Sequence, residues 1–102
     1  MQFFALFYDV VENFVDRRTP FREKHLRLVR EAHRRGELLL GGALADPADR
    51  ALIVFRASSR SVAEDFAKAD PYVTNELVKH WEVRPWNVVV GQEQFEDGGS
   101  NK

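Results

Sequence analysis

The sequence predicts an α+β fold with the element order β-α-β-β-α-β, the ferredoxin-like split βαβ pattern. Three observations support it. Two amphipathic helical segments alternate with apolar extended segments, and the Asp-Pro turn at 46–49 joins the two middle extended segments into a hairpin. The 102 residues suffice for one compact domain and not for two. We therefore expect a four-stranded antiparallel sheet with both helices on one face.

The first strand, residues 2–10, is apolar on both of its faces. Phe3, Ala5 and Phe7 alternate with a second apolar set, Phe4, Leu6, Tyr8 and Val10. A strand that exposes one face to water should instead alternate apolar with polar residues. Because the two helices can cover only one face, we expect a second copy of the chain to cover the other, in a homodimer.

The first helix is predicted to begin at Thr19-Pro20, with Thr19 as the N-cap and proline in the first turn. Gly36, directly after two arginines, marks its C-terminal end. The second strand is expected at 37–44 and the third at 51–57.

The second helix is predicted to open with a capping box, in which Ser61 and Glu64 each bind the other's backbone N–H. Helical spacing places Val62, Phe66 and Ala69 on its buried face. The helix should stop at Asp70-Pro71, because the residue before proline is displaced from helical geometry. A further helical turn is expected within 72–77.

The chain is predicted to be extended from Lys79 onward, with its surest strand at 86–90. Pro85 indicates an edge strand or a bulge, since proline cannot donate to a central ladder. We take residues 1–95 as one domain and residues 96–102, which are polar and glycine-rich, as a disordered C-terminal tail.

The composition excludes several classes of function. Fifteen basic against sixteen acidic residues give a formal charge of −1, unlike the basic domains that bind nucleic acid. There is no cysteine, which rules out thiolate nucleophiles, disulfides and cysteine metal sites. The N-terminus has no basic leader, and no apolar run is long enough to span a membrane. We expect a cytoplasmic protein that binds neither nucleic acid nor membrane.

His25 is the first candidate for chemistry because it interrupts the apolar stripe of the first helix. It follows Phe21 by four residues and precedes Leu28 by three. An inward-facing imidazole suits general acid–base catalysis, although a core histidine bound to a carbonyl or a water gives the same pattern. Asp70 ends the second helix in the same layer, so its carboxylate could orient the imidazole; alone it reads as a helix-stop residue.

The other polar residues give weaker signals. His33 does not share a helical face with His25, and no set of ligands converges as a metal site requires. Ser58, Ser59 and Ser61 are interpreted as capping residues, because no nucleophile-elbow motif surrounds them. No metal and no cofactor is therefore expected.

The motifs together resemble the YciI-like (YCII-related) family, small proteins of the dimeric α+β barrel type. The resemblance runs from Phe3 to about Val90. It rests on the aromatic first strand and on four motifs in order: Arg22-x-x-His25-Leu26, Gly36-x-Leu38-Leu39-x-x-Gly42, Ala69-Asp70-Pro71-Tyr72-Val73 and Val83-x-Pro85-Trp86. The family usually has Gly-Pro where this chain has Gly42-Ala43.

The resemblance implies a His–Asp dyad, which corresponds to His25 and Asp70 here. A related branch of the family eliminates chloride from a chlorinated hydroxyhydroquinone, which implies proton transfer without a cofactor. We therefore expect a lyase or isomerase acting on a small aromatic or enolisable molecule, with Arg22 and Tyr8 as substrate-binding candidates. Two other hypotheses stay open: a non-catalytic ligand-binding domain and a cofactor-free monooxygenase.

Overall fold

The computed structural model describes residues 1–91. Its elements, in chain order, are β1 (Gln2–Val10), α1 (Phe14–Arg17), a 3₁₀ turn (Thr19–Phe21), α2 (Arg22–Arg34), β2 (Leu38–Ala43), β3 (Arg50–Ala57), α3 (Ser61–Ala69), α4 (Pro71–Thr74) and β4 (Val78–Trp86). The tail predicted at 96–102 lies outside the described residues, as does the end of the predicted domain. None of the helices within residues 1–91 is long and apolar enough to cross a membrane.

The four strands form one antiparallel sheet in the order β2-β3-β1-β4. This is the ferredoxin-like order, so the predicted fold class is confirmed. β1 is central and pairs with β3 from Gln2 opposite Ala57 to Asp9 opposite Arg50. Because α2 and α3 lie on one face of this sheet, the ends of both helices can approach the same part of β1.

β1 is buried on both faces, as its sequence indicates. Phe4, Leu6 and Tyr8 point into the core beneath the helices. Phe3 and Ala5, on the other face, are also largely inaccessible to water. No helix of residues 1–91 covers that second face, which we call the open sheet face. Its apolar residues include Phe3, Ala5, Phe7, Leu52, Val54 and Trp86, and the strand register places Arg56, Glu82 and Arg84 on the same face.

The start of the first helix differs from the prediction. Thr19 opens a 3₁₀ turn and makes no side-chain cap, and the α-helix proper begins at Arg22. A short extra helix, α1, precedes it and buries Phe14, whose ring meets that of Tyr72 edge-on at 5.4 Å. The sequence did not predict this helical turn, which buries one aromatic side chain.

The predicted capping box of the second helix is wrong. Arg60 occupies the N-cap, Ser61 is already helical, and neither makes a side-chain cap. The Ser61 hydroxyl instead lies 2.7 Å from that of Ser59, and Glu64 faces Arg60 at 3.5 Å.

The predicted buried face of α3 needs correction as well. It consists of Ala63, Phe66 and Ala67, whereas Ala69 is exposed. Two alanines one turn apart let the helix lie close to β1, β3 and β4.

The predicted strand at 86–90 is also wrong, because β4 ends at Trp86. The last pair of the ladder joins Phe3 to Trp86, and residues 87–91 pair with no described strand. Val89 and Val90 are exposed despite their β propensity. Pro85 does lie on an edge strand, as expected, since β4 pairs with β1 alone.

Candidate active site

Asp70 is placed by the junction between α3 and α4. Pro71 forces its backbone into an extended conformation, with ψ at 123°, so α3 ends there. The carboxylate then caps the next helix by accepting a hydrogen bond from the Tyr72 N–H at 3.0 Å. Asp70-Pro71 therefore ends α3 and also directs the Asp70 carboxylate into the core.

The Asp70 carboxylate has no solvent-exposed surface and accepts three hydrogen bonds. The Tyr8 hydroxyl donates to Oδ2 at 2.7 Å, and the Tyr72 N–H and the His25 ring bind Oδ1. A buried charge is costly unless it is paired and hydrogen-bonded, and these partners supply that compensation.

His25 is held from two sides. Its Nδ1 lies 2.9 Å from Asp70 Oδ1, and its ring stacks on that of Tyr72 with centroids 3.8 Å apart and planes 9° apart. An ionised carboxylate can only accept, so Nδ1 must carry the proton in this pair. The neutral imidazole consequently presents an unprotonated Nε2.

Tyr8 supports the pair without being able to act as a base. Burial raises the pKa of its hydroxyl far above the ordinary range, and the charge of Asp70 and the hydrogen bond to it act in the same direction. Tyr8 therefore remains a neutral donor to Asp70, and its ring lines the adjoining cavity. The Tyr8 hydroxyl thus bonds to the carboxylate, and the substrate-binding role predicted for Tyr8 stays a prediction.

A cavity of about 150 Å³ adjoins the imidazole. Tyr8, Phe14, Arg18, Arg22, His25, Leu26, Val29, Gly41, Gly42, Ala43, Ala51, Ile53 and Tyr72 line it. All four site residues predicted from the sequence, His25, Asp70, Tyr8 and Arg22, therefore lie in or directly behind one cavity wall.

Among the wall residues that sequence reasoning missed are Phe14, Arg18 and Tyr72. Tyr72 follows Asp70-Pro71 and could have been noticed as part of that motif. Phe14 and Arg18 belong to the short α1 segment, where no periodicity marks them.

The remaining histidines have other surroundings. His33 Nδ1 bonds to the Leu38 carbonyl at 2.7 Å and so ties α2 to β2, and His80 lies exposed on β4. Within residues 1–91, no three His, Asp or Glu side chains converge as metal ligands would.

One solved structure with a similar fold is 5-chloro-2-hydroxyhydroquinone dehydrochlorinase (TftG) from Burkholderia phenoliruptrix AC1100, in complex with 2,5-dihydroxybenzoquinone. The match has a TM-score of 0.70 and covers 89% of this chain and 97% of that one, at 15% identity. At this identity the similarity establishes the fold. No curated protein sequence matches. A model of the YCII-related domain matches residues 1–87, and the chain therefore belongs to the YCII-related family.

Proposed function

We propose that this protein is a cofactor-free lyase or isomerase that transfers a proton on a small molecule through His25 and Asp70. One observation carries the proposal: a fully buried carboxylate holds the Nδ1–H of a cavity-lining histidine. That arrangement fixes the tautomer and leaves Nε2 as the basic nitrogen.

The proposed step begins when Nε2 accepts a proton from an acidic C–H or O–H of the bound molecule. The resulting imidazolium is stabilised by the Asp70 carboxylate, which keeps its own proton count unchanged. In a lyase, the electron pair released at carbon forms a double bond and the leaving group departs with its bonding pair. In an isomerase, the proton returns to a different atom of the same molecule. Neither course needs an oxidant or a metal.

The comparison with the dehydrochlorinase supports an elimination over other reactions of the same type. That protein, by its name, removes hydrogen chloride from a chlorinated hydroquinone and shares the fold over 89% of this chain. A buried His–Asp pair provides the base that such an elimination requires.

The test is proton abstraction itself, which does not require knowledge of the natural substrate. Chlorinated hydroquinones and cyclic enolisable ketones are incubated with the protein in D₂O, and C–H exchange and chloride release are followed. We expect His25→Ala to lower the rate by about 10²–10⁴. His80→Ala, which removes an exposed histidine outside the cavity, should leave the rate unchanged.

Circular dichroism and thermal melting of His25→Ala show whether the fold is intact. An unchanged rate in a folded His25→Ala variant would contradict the proposal. Binding of these molecules without exchange in the wild type would instead identify a ligand-binding domain.

A further inference from the structure

Three groups of the cavity wall have no part in the proton transfer. The Tyr72 hydroxyl, the Arg18 guanidinium and the Arg22 guanidinium all belong to residues that line the same cavity as His25. Neither Asp70 nor the imidazole uses them.

The Tyr72 hydroxyl is buried without a hydrogen bond of good geometry to any residue in 1–91. The residue as a whole is 3% exposed. Its ring is fixed by stacking on His25 on one side and by the edge-on contact with Phe14 on another. Buried polar groups almost always have a partner, so a cavity-wall hydroxyl that Arg22 approaches without a hydrogen bond of good geometry is available to bind a ligand oxygen.

Two cationic side chains, Arg18 and Arg22, line the same cavity as this hydroxyl. The Arg18 guanidinium carbon lies 5.4 Å from the Phe14 ring centroid, over the aromatic group that packs on Tyr72. Among the described residues, no carboxylate forms an ion pair with either Arg18 or Arg22. Burial raises the pKa of the Tyr72 hydroxyl, whereas the approach and charge of Arg22 and the charge of Arg18 lower it.

The size and walls of the cavity limit what can enter. Its volume, about 150 Å³, is close to that of an engineered protein cavity that accepts one benzene molecule. Phe14, Tyr72, Tyr8 and His25 give it aromatic sides. A single planar ring therefore fits.

We propose that the cavity binds a single-ring planar anion, with its charged oxygen held by Arg18, Arg22 and the Tyr72 hydroxyl. The inference rests on the proposed function only in that it names the substrate class of the same site. Because the imidazole stacks on Tyr72, an oxygen bound at the hydroxyl brings the attached ring close to His25. Guanidinium groups suit carboxylates and ionised phenols or enols alike.

The first experiment compares benzoate with its neutral analogue benzamide by calorimetric titration or NMR. We expect the wild type to bind benzoate about tenfold more tightly or better, since hydrogen bonds to a charged group contribute about 1.5–3 kcal/mol. The double variant Arg18→Gln/Arg22→Gln should lose this preference and keep its weak affinity for benzamide. Arg30→Gln removes an exposed arginine of the same helix outside the cavity, and should keep the preference.

A second experiment distinguishes binding of a carboxylate oxygen from binding of a phenolate oxygen. 4-Nitrophenol absorbs differently when ionised, so a site selective for the phenolate lowers the apparent pKa of the bound probe. A lowered pKa of bound 4-nitrophenol together with tight benzoate binding indicates that the site accepts both phenolate and carboxylate oxygens. An effect seen with only one of the two probes shows which of these oxygens the site prefers.

Tyr72→Phe tests the hydroxyl separately. Removing a buried hydroxyl that has no partner should leave the melting temperature of the free protein equal or higher. Benzoate affinity should nevertheless fall by about threefold or more. A lower melting temperature with unchanged affinity would show that the hydroxyl serves the fold, and would remove it from the proposed site.

The proposal fails if the wild type binds neither benzoate nor 4-nitrophenolate at millimolar concentration, if it binds the neutral form of a probe as tightly as the anion, or if the double variant keeps the preference for the anion. These assays involve no turnover. If C–H exchange depends on His25 but benzoate and benzamide bind equally well, only this inference is overturned. If benzoate binds selectively but the protein catalyses no exchange, only the proposed function is overturned.

Discussion

Asp70 accepts hydrogen bonds from three donors that come from three different elements, and none of its surface reaches solvent. The carboxylate therefore joins β1, α2 and α4 at one point. Its role in the fold depends on its ability to accept hydrogen bonds. Its role in orienting His25 depends on hydrogen bonding and also on its negative charge.

Two substitutions at Asp70 should separate these properties. Asp70→Ala leaves the Tyr8 hydroxyl and the Tyr72 N–H buried without their acceptor, and we expect it to lower the free energy of unfolding by about 3–5 kcal/mol. Asp70→Asn can still accept from His25 and Tyr72 through its carbonyl while its NH₂ faces Tyr8, whose hydroxyl can rotate to accept. It should cost about 1 kcal/mol in stability.

Urea unfolding measures both losses, and the D₂O exchange assay measures the rate. Asp70→Asn should lower that rate less than His25→Ala does, because the imidazole stays in place. An Asp70→Asn variant as unstable as Asp70→Ala would show that charge, and not hydrogen bonding, holds the junction.

Tyr8 makes the stability of the fold sensitive to alkaline pH. Its pKa in the folded protein is raised above the ordinary value of 10.0, so above about pH 10 the unfolded chain loses the hydroxyl proton while the folded chain keeps it. The contribution of Tyr8 is complete below that pH and is lost as the pH rises. The expected slope is about 1.4 kcal/mol per pH unit for this one proton.

Comparison with Tyr8→Phe isolates this effect, because the other titrating groups are common to both proteins. At about pH 8 the wild type should be more stable by about 1 kcal/mol, since its hydroxyl bonds to Asp70. The difference should shrink above about pH 10 and then reverse. Urea unfolding across about pH 8–11 provides the data; a difference independent of pH would contradict the raised pKa.

At the scale of elements, the end of α2 shows how closely a local sequence signal can fix geometry. Gly36 has a φ of 82°, in the left-handed region. Its N–H bonds to the His33 carbonyl at 2.9 Å, and the Glu37 N–H bonds to the Ala32 carbonyl at 3.1 Å. This is the Schellman pattern, which turns the chain from α2 into β2.

Gly36→Ala should therefore lower the free energy of unfolding by about 1–2 kcal/mol, the cost of a Cβ in left-handed geometry. Gly36→Asn should cost less, because asparagine adopts this geometry more readily. Arg34→Ala, an exposed change two residues earlier at the end of the helix, should stay within about 0.5 kcal/mol of wild type. Equal stability of Gly36→Ala and Arg34→Ala in thermal or urea unfolding would contradict this account.

Elements with local signals were predictable from the sequence, and elements defined by distant contacts were not. The two-faced β1 and the stop at Asp70-Pro71 follow from residue spacing and proline sterics, and both are confirmed. The end of β4 was misplaced because it depends on where β1 begins, about eighty residues away in the chain. No local pattern at 86–90 contains that information.

The same distinction holds for the site. His25 was visible as a polar break in a helical stripe, and Asp70 as a helix stop whose partner the family resemblance indicated. Arg18 was not visible as a cavity residue, because α1 and the 3₁₀ turn assemble only in the folded chain. The catalytic roles of His25 and Asp70 stay a prediction.

At the scale of the whole molecule, the sheet has one face covered by helices and one face that no helix of residues 1–91 covers. The open sheet face carries aromatic and aliphatic side chains from three strands, and Trp86 at its edge is 47% exposed. An apolar face of this extent on a single chain is typical of an interface. We propose that a second copy of the chain packs against it, as the resemblance to dimeric α+β barrels implies.

A homodimer formed through the open sheet face predicts a solution mass about twice 11.8 kDa in light scattering at micromolar concentration. Trp86→Lys should shift this mass toward that of the monomer. The lysine charge stays partly hydrated on a free chain, whereas burial in the dimer interface would desolvate it at a cost in free energy. The control is Val15→Lys, which introduces the same charge at a side chain 48% exposed on α1, in the helical layer, and should remain dimeric. A monomeric wild type would refute the dimer. A dimeric Trp86→Lys with a native melting profile would place the interface elsewhere, and the apolar character of β1's second face would then need another cause.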